Sequence, residues 1–161
     1  MATPKISEQN LDPVDRKLLA LLQRDGRMPV ARLAEAVGLS APPVHDRLAR
    51  LERGGVIRGY VALLDPGRLG LGFTVFVQVT LGLHREGAVK KFKGAIGAVP
   101  QLLECHHLTG TADFLLKVVC RDTAEYEDLV LHTLTRLPGV ERLNSSVVLS
   151  TFKAETALPL E

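Results

Sequence analysis

Aromatic side chains are scarce in this 161-residue chain: five Phe, two Tyr and no Trp, 4% in all. A surface that binds by stacking bases on exposed rings has little to draw on. Cysteine is nearly absent. Cys105 and Cys120 read as reduced core thiols of a cytoplasmic protein, not as a disulfide framework. No apolar run reaches the ~18 residues of a membrane-spanning helix, so no membrane partner is expected. Residues 1–8 lack the apolar core of a secretory leader. Chemistry-bearing constellations are missing too. No nucleophile sits beside a base, and no glycine loop falls into a phosphate-binding pattern; Gly67-Arg68-Leu69-Gly70 lacks the spacing. His106-His107 is no chelating pair, because adjacent strand residues face opposite sides. Neither an enzyme, a resident cofactor nor a metal is expected.

What is present is apolar and unevenly charged. Hydrophobic residues make up 46%, enough for one large core or two small ones. The net charge is only +2, and residues 66–161 carry ten basic and ten acidic side chains. The excess therefore lies in residues 1–65. Within residues 27–60, six arginines face Glu35, Asp46 and Glu52. A basic patch on a neutral body points toward nucleic acid.

The front of the chain reads as three helices. Asp12 caps the first, Pro13 opens it, and Asp15 lies near its positive end. Val14, Leu18, Leu21 and Leu22 form its inward stripe, and Asp25-Gly26 ends it. The second buries Val30, Leu33, Ala34 and Val37 and stops at Gly38. Ser40 caps the third, which tolerates Pro42 and Pro43 in its first turn and buries Val44, Leu48 and Leu51. Gly54-Gly55 closes it. The strand formers of 56–64 suit the wing of a winged helix-turn-helix, and Asp65-Pro66-Gly67 marks a boundary.

The rear half repeats itself. Strand 73–81, helix 86–98 with Val89, Phe92 and Ile96 inward, and strand 102–109 are followed by strand 114–120, helix 124–137 and strand 140–152. That is a ferredoxin-like β-α-β-β-α-β order. Phe73, Val75, Val77, Val79 and Leu81 share the face under the helices; Thr74, Phe76, Gln78 and Thr80 share the other. Two helices cover one face only, so the second, half apolar, predicts a homodimer. The fold class is α+β: a winged helix-turn-helix domain at 10–64, then a ferredoxin-like domain at 70–153.

Gly38-Leu39-Ser40, Arg47-Leu48-Ala49-Arg50-Leu51-Glu52-Arg53 and Gly55-Val56-Ile57-Arg58-Gly59-Tyr60 resemble the signature of the Lrp/AsnC (feast/famine) transcription regulators. The stretch from Glu104 to Leu116 and Leu137-Pro138-Gly139-Val140 resembles the ligand-sensing half (RAM/Lrp-type) of the same family. The likeness covers about residues 10–153. It implies a regulator of amino-acid metabolism that binds double-stranded DNA, dimerises through its sheet, assembles as far as octamers, and takes an amino-acid effector between dimers.

Candidate DNA contacts are Ser40, Pro42, Pro43, His45 and Asp46 at the front of the third helix, Arg47 and Arg50 on its side, and Arg53 and Arg58 toward the phosphates. The alternative for Arg47 and Arg50 is a solvated helix face with Arg50 near Asp46; His45 is a base reader or a plain surface histidine. The family's glycine loop falls at Leu108, Thr109, Gly110, Thr111, Ala112 and Asp113. Gly110 can bare backbone N–H groups to a carboxylate. Asp113 either holds an ammonium group or orients the loop. Ser145, Ser146 and Val148 are candidates for the same cleft. Thr111 stands where many members carry an acid. Three other classes remain as alternatives: a sensor that does not bind DNA, an RNA-binding module, which lacks the exposed aromatics it needs, and an enzyme of ferredoxin-like fold.

Overall fold

The computed structural model describes residues 11–82 and 87–160. It divides into two compact units, Met1–Leu63 with Lys153–Glu161, and Leu64–Phe152.

The first unit holds α1 (Pro13–Arg24), α2 (Val30–Val37) and α3 (Ala41–Arg53). Asp12 caps α1 by accepting the Asp15 N–H at 2.8 Å, and the Asp15 carboxylate reaches back to the Asp12 N–H, a reciprocal capping box. Gly38 ends α2 in the left-handed conformation that favours glycine, with φ of 71°. Leu18, Leu33, Ala34, Val44 and Leu48 form the core, with Val14, Leu21, Leu22, Val30, Val37 and Ile57 at its margin. Leu51 is fully buried as well.

Three expectations are corrected here. The inward side of α1 includes Leu19 and Asp15, both buried; α1 sits with its N-terminal turn against α3, so the stripe is wider there than the apolar pattern shows. Ser40 occupies the N-cap of α3, but its hydroxyl makes no cap bond. The wing is no strand: residues 56–64 pair with no strand among the described residues. Val56 and Ile57 instead donate their N–H groups to the Leu51 carbonyl, and Tyr60 bonds Glu52 at 3.0 Å. Strand propensity alone does not build a strand where no neighbour offers a ladder.

The second unit is a four-stranded antiparallel sheet in the order β2-β3-β1-β4, from β1 (Phe73–Leu81), β2 (Leu102–His107), β3 (Phe114–Cys120) and β4 (Val140–Val147). Helices α4 (Ala88–Ile96) and α5 (Thr123–His132) complete the β-α-β-β-α-β order. Val75, Val77 and Val79 of β1 and Phe114, Leu116 and Val118 of β3 make a core with Phe92 and Leu129 from the helices. This is the anticipated ferredoxin-like fold, with shorter elements. Strand β2 stops at His107 and β4 at Val147, the second helix ends at His132 and gives way to a 3-10 turn at Leu134–Arg136, and Val89 is exposed on α4. The anticipated helix start at Glu86 lies outside the described residues.

Asp122 caps α5 by accepting the Glu125 N–H at 2.8 Å. The Glu125 carboxylate accepts from the Arg121 N–H and guanidinium at 2.8 and 2.9 Å. Those bonds, with one from Gln101, bring its pKa down to about 2. A depressed carboxylate stabilises the fold above its unfolded pKa, near 4.5, and that contribution is lost as pH falls toward 2. The melting temperature should therefore fall between pH 4.5 and 2, less steeply in Glu125→Gln; equal slopes in the two proteins would rule this residue out as the cause.

A short segment beyond β4 belongs to the first unit. The Gln23 amide of α1 donates to the Leu158 carbonyl at 3.0 Å and accepts the Leu158 N–H at 2.6 Å.

Candidate DNA interface and effector loop

Helix α3 advances about 100° per residue. With Val44, Leu48 and Leu51 inward, the ridge farthest from the core is Pro42, Asp46 and Arg53. Ser40, Pro42, Pro43, His45, Asp46, Arg53 and Arg58 are all exposed, as an entering helix requires. Among the described residues, Arg27, Arg32, Arg53 and Arg58 also expose side chains that form no ion pair.

Arg47 and Arg50 are placed differently. They lie on the flank of α3 that meets the N-terminal turn of α1. Arg47 donates through Nη1 to Asp12 Oδ2 at 2.5 Å and to Asp15 Oδ1 at 2.8 Å. Arg50 donates through Nη2 to Asp15 Oδ2, not to Asp46. Asp15 has no exposure at all, against 28% and 45% for the side chains of Arg47 and Arg50. Both Asp15 oxygens are thus occupied, and among the described residues no buried side-chain polar atom lacks a partner. The bond from the Asp15 N–H, then the Arg47 guanidinium, hold the Asp12 carboxyl below its ordinary value; Asp12 and Asp15 in turn raise Arg47. Asp15 in this role is not marked by the apolar pattern of α1. The available signal was a second acid at the third helical position, opposite two arginines three residues apart.

An open pocket of about 280 Å³ lies in this unit, walled by Leu22, Met28, Leu48, His45, Glu52 and Tyr60. It is far in sequence from the anticipated effector loop.

That loop joins β2 to β3. Gly110 has φ of 121°, a conformation other residues rarely adopt. Thr109, Gly110 and Thr111 are exposed and Ala112 is buried. Asp113 is tied down from three sides. Its N–H donates to the Val79 carbonyl at 2.9 Å, its carbonyl accepts from Leu108 at 2.9 Å, and its Oδ2 accepts the Leu81 N–H at 2.7 Å. The Leu81 contact falls at the irregularity where the β1–β4 register shifts. Asp113 therefore fastens the loop to the end of β1.

Ser145, Ser146 and Val148 are not gathered at the loop. Ser145 pairs with Val77 and bonds Tyr126 at 2.5 Å; Ser146 pairs with Phe76 on the opposite face; Val148 bonds Thr74. Measured along β1 from Leu81, these positions are roughly 13–23 Å away at ~3.3 Å per residue.

The uncovered sheet face carries Phe76, Leu115 and an ion cluster. Lys117 Nζ meets Glu104 at 2.8 Å and His106 Nε2 meets the same carboxylate at 3.1 Å. Lys117 first, then His106, lowers the Glu104 pKa. His107 turns to the other face and stacks on Phe114 at 4.9 Å. Among the described residues no three His, Cys, Asp or Glu side chains gather as a metal site, and no helix is long and apolar enough to cross a membrane.

A helix-turn-helix joined to a ferredoxin-like unit with a glycine loop is the architecture of a ligand-responsive transcription regulator. Residues 11–52 match the AsnC-type helix-turn-helix domain and residues 74–158 the Lrp/AsnC ligand binding domain. The chain belongs to the Lrp/AsnC family. It is 39% identical over 153 residues to the leucine-responsive regulatory protein of Escherichia coli K12, spanning 95% of this chain and 93% of that one. Its fold is similar to that of a Neisseria meningitidis transcriptional regulator solved in complex with L-Met, with TM-score 0.89 and 38% identity over 93% of this chain and 97% of the other. It is also similar to an AsnC family transcriptional regulator from Agrobacterium tumefaciens, with TM-score 0.87 and 36% identity over 92% and 97%.

Proposed function

We propose that this chain is a cytoplasmic, sequence-specific binder of double-stranded DNA, with residues 10–64 in contact with DNA and residues 70–153 joining copies and sensing an amino acid. The exposed residues at the N-terminal end of α3, Ser40, Pro42, Pro43, His45 and Asp46, carry the reading: that end can enter a major groove while Arg53 and Arg58 meet phosphates. The wholly buried core beneath holds that end in place.

The effector reading rests on the loop from Leu108 to Asp113 and on the L-Met complex of the Neisseria regulator. Backbone N–H groups around Gly110 and Thr111 suit a carboxylate. Because Ser145, Ser146 and Val148 lie elsewhere on the sheet, a cleft using both sets takes them from different copies. Homodimer formation is supported by the uncovered face with Phe76 and Leu115. It is supported also by the linker, where Val61, Leu63 and Leu64 are 84, 77 and 68% exposed. Assembly to octamers follows the family pattern.

The test is fluorescence anisotropy with the protein's own promoter and a random duplex at physiological salt, alone and with each of the twenty amino acids, beside light scattering. A specific site bound at least 10³-fold tighter than random duplex is expected, with at least one amino acid shifting affinity or particle size. Equal affinity for both duplexes would remove the regulatory reading.

A further inference from the structure

We propose that Asp15 is a specificity-determining positioning residue: it withholds Arg47 and Arg50 from the DNA backbone and uses them to fix the angle at which α3 is presented. The inference rests on the DNA-binding reading above and assigns the division of labour among its arginines.

The geometry carries it. Asp15 projects from the first turn of α1 into the seam with α3 and is fully buried. Its two oxygens take one arginine each, Arg47 on Oδ1 and Arg50 on Oδ2. Arg47 also bridges to Asp12, whose other oxygen caps the Asp15 N–H. The four side chains form one continuous circuit of ion pairs, Asp12 to Arg47 to Asp15 to Arg50, between the start of α1 and the middle of α3. Pulling an arginine out toward a phosphate would leave a buried carboxylate short of a partner. That loss outweighs what one solvent-exposed ion contact returns. The two arginines, three residues apart on α3, also act as a two-point hinge pin. With both held, roll of α3 about its axis and slide along α1 each stretch an ion pair to the same carboxylate. Arg53 lies on the outward ridge and forms no ion pair among the described residues, so it is free to meet DNA.

Arg50 and Arg53 carry the same charge and are both exposed but differ in this circuit, so they form the test. Affinity of the full chain for promoter and random duplex is measured over a series of salt concentrations for wild type, Arg50→Gln, Arg53→Gln and Asp15→Asn. Circular dichroism first establishes that each is folded at the assay temperature. Each phosphate contact contributes about one to the slope of log K against log salt. For Arg53→Gln the slope should fall by about one. For Arg50→Gln it should stay as in wild type, while the ratio of promoter to random affinity falls about tenfold. In Asp15→Asn the freed Arg50 should make the slope on random duplex steeper by about one. If Asp15→Asn does not fold, the Arg50 and Arg53 pair decides alone. A slope lowered by one in Arg50→Gln makes Arg50 a phosphate contact and overturns the proposal. An unchanged slope with an unchanged ratio makes the circuit purely structural, which also overturns it. Absence of promoter preference in wild type instead removes the DNA-binding reading itself.

Discussion

Replacing Arg47 and Arg50 together by Ala should destabilise the helical unit by about 3–5 kcal/mol, the range for a buried ion pair stripped of its partners. The effect arises because Asp15 remains buried with its charge unpaired and only the Asp12 N–H, at 3.4 Å, still donating to it. Adding Asp15→Asn to that double variant should restore a large part of the loss, since a neutral amide is far less costly to bury than a carboxylate. Either arginine alone should cost less, because the other still reaches Asp15. Urea unfolding followed by far-ultraviolet circular dichroism measures all four proteins. A triple variant no more stable than the double would show that the stranded charge is not the cause.

Phe114→Ala is expected to cost a similar 3–5 kcal/mol, now in the sheet unit. Phe114 is 1% exposed, with the Phe92 ring 4.7 Å away and the His107 ring 4.9 Å away. Truncation opens a cavity where α4 meets the sheet, at a site too constrained to collapse fully. Phe114 directly follows Asp113, so the loop from Leu108 to Asp113 loses its anchor as well. Unfolding followed by the fluorescence of Tyr126, which lies in this unit, measures the loss in a Tyr60→Phe background that removes the other tyrosine. A cost under 1 kcal/mol would mean that the ring is not part of the working core.

The elements that could be read from the chain are those with local punctuation. Gly38 sets the end of α2, Asp12 and Pro13 set the start of α1, and the alternation of Val75, Val77 and Val79 sets the face of β1. The wing was misjudged because residues 56–64 have the composition of a strand and no neighbour in this chain to pair with. Val89 was misjudged because helical spacing does not say how wide a stripe the sheet can cover. The arginines show the sharpest limit. Sequence spacing places Arg47 and Arg50 off the apolar stripe. It does not say whether that flank faces solvent or a carboxylate 32 to 35 residues earlier. A buried acid is invisible in a pattern that counts only apolar positions. Ser40 shows the same limit at short range, since a capping residue type without cap geometry makes no bond.

The reciprocal bonds between Gln23 and Leu158 change how the polypeptide is to be pictured. Because 153–160 are part of the helical unit, the sheet unit is inserted into it, not appended behind it. During synthesis, α1 must wait some 135 residues for this partner. The helical unit therefore completes its contacts only after the whole sheet unit has emerged.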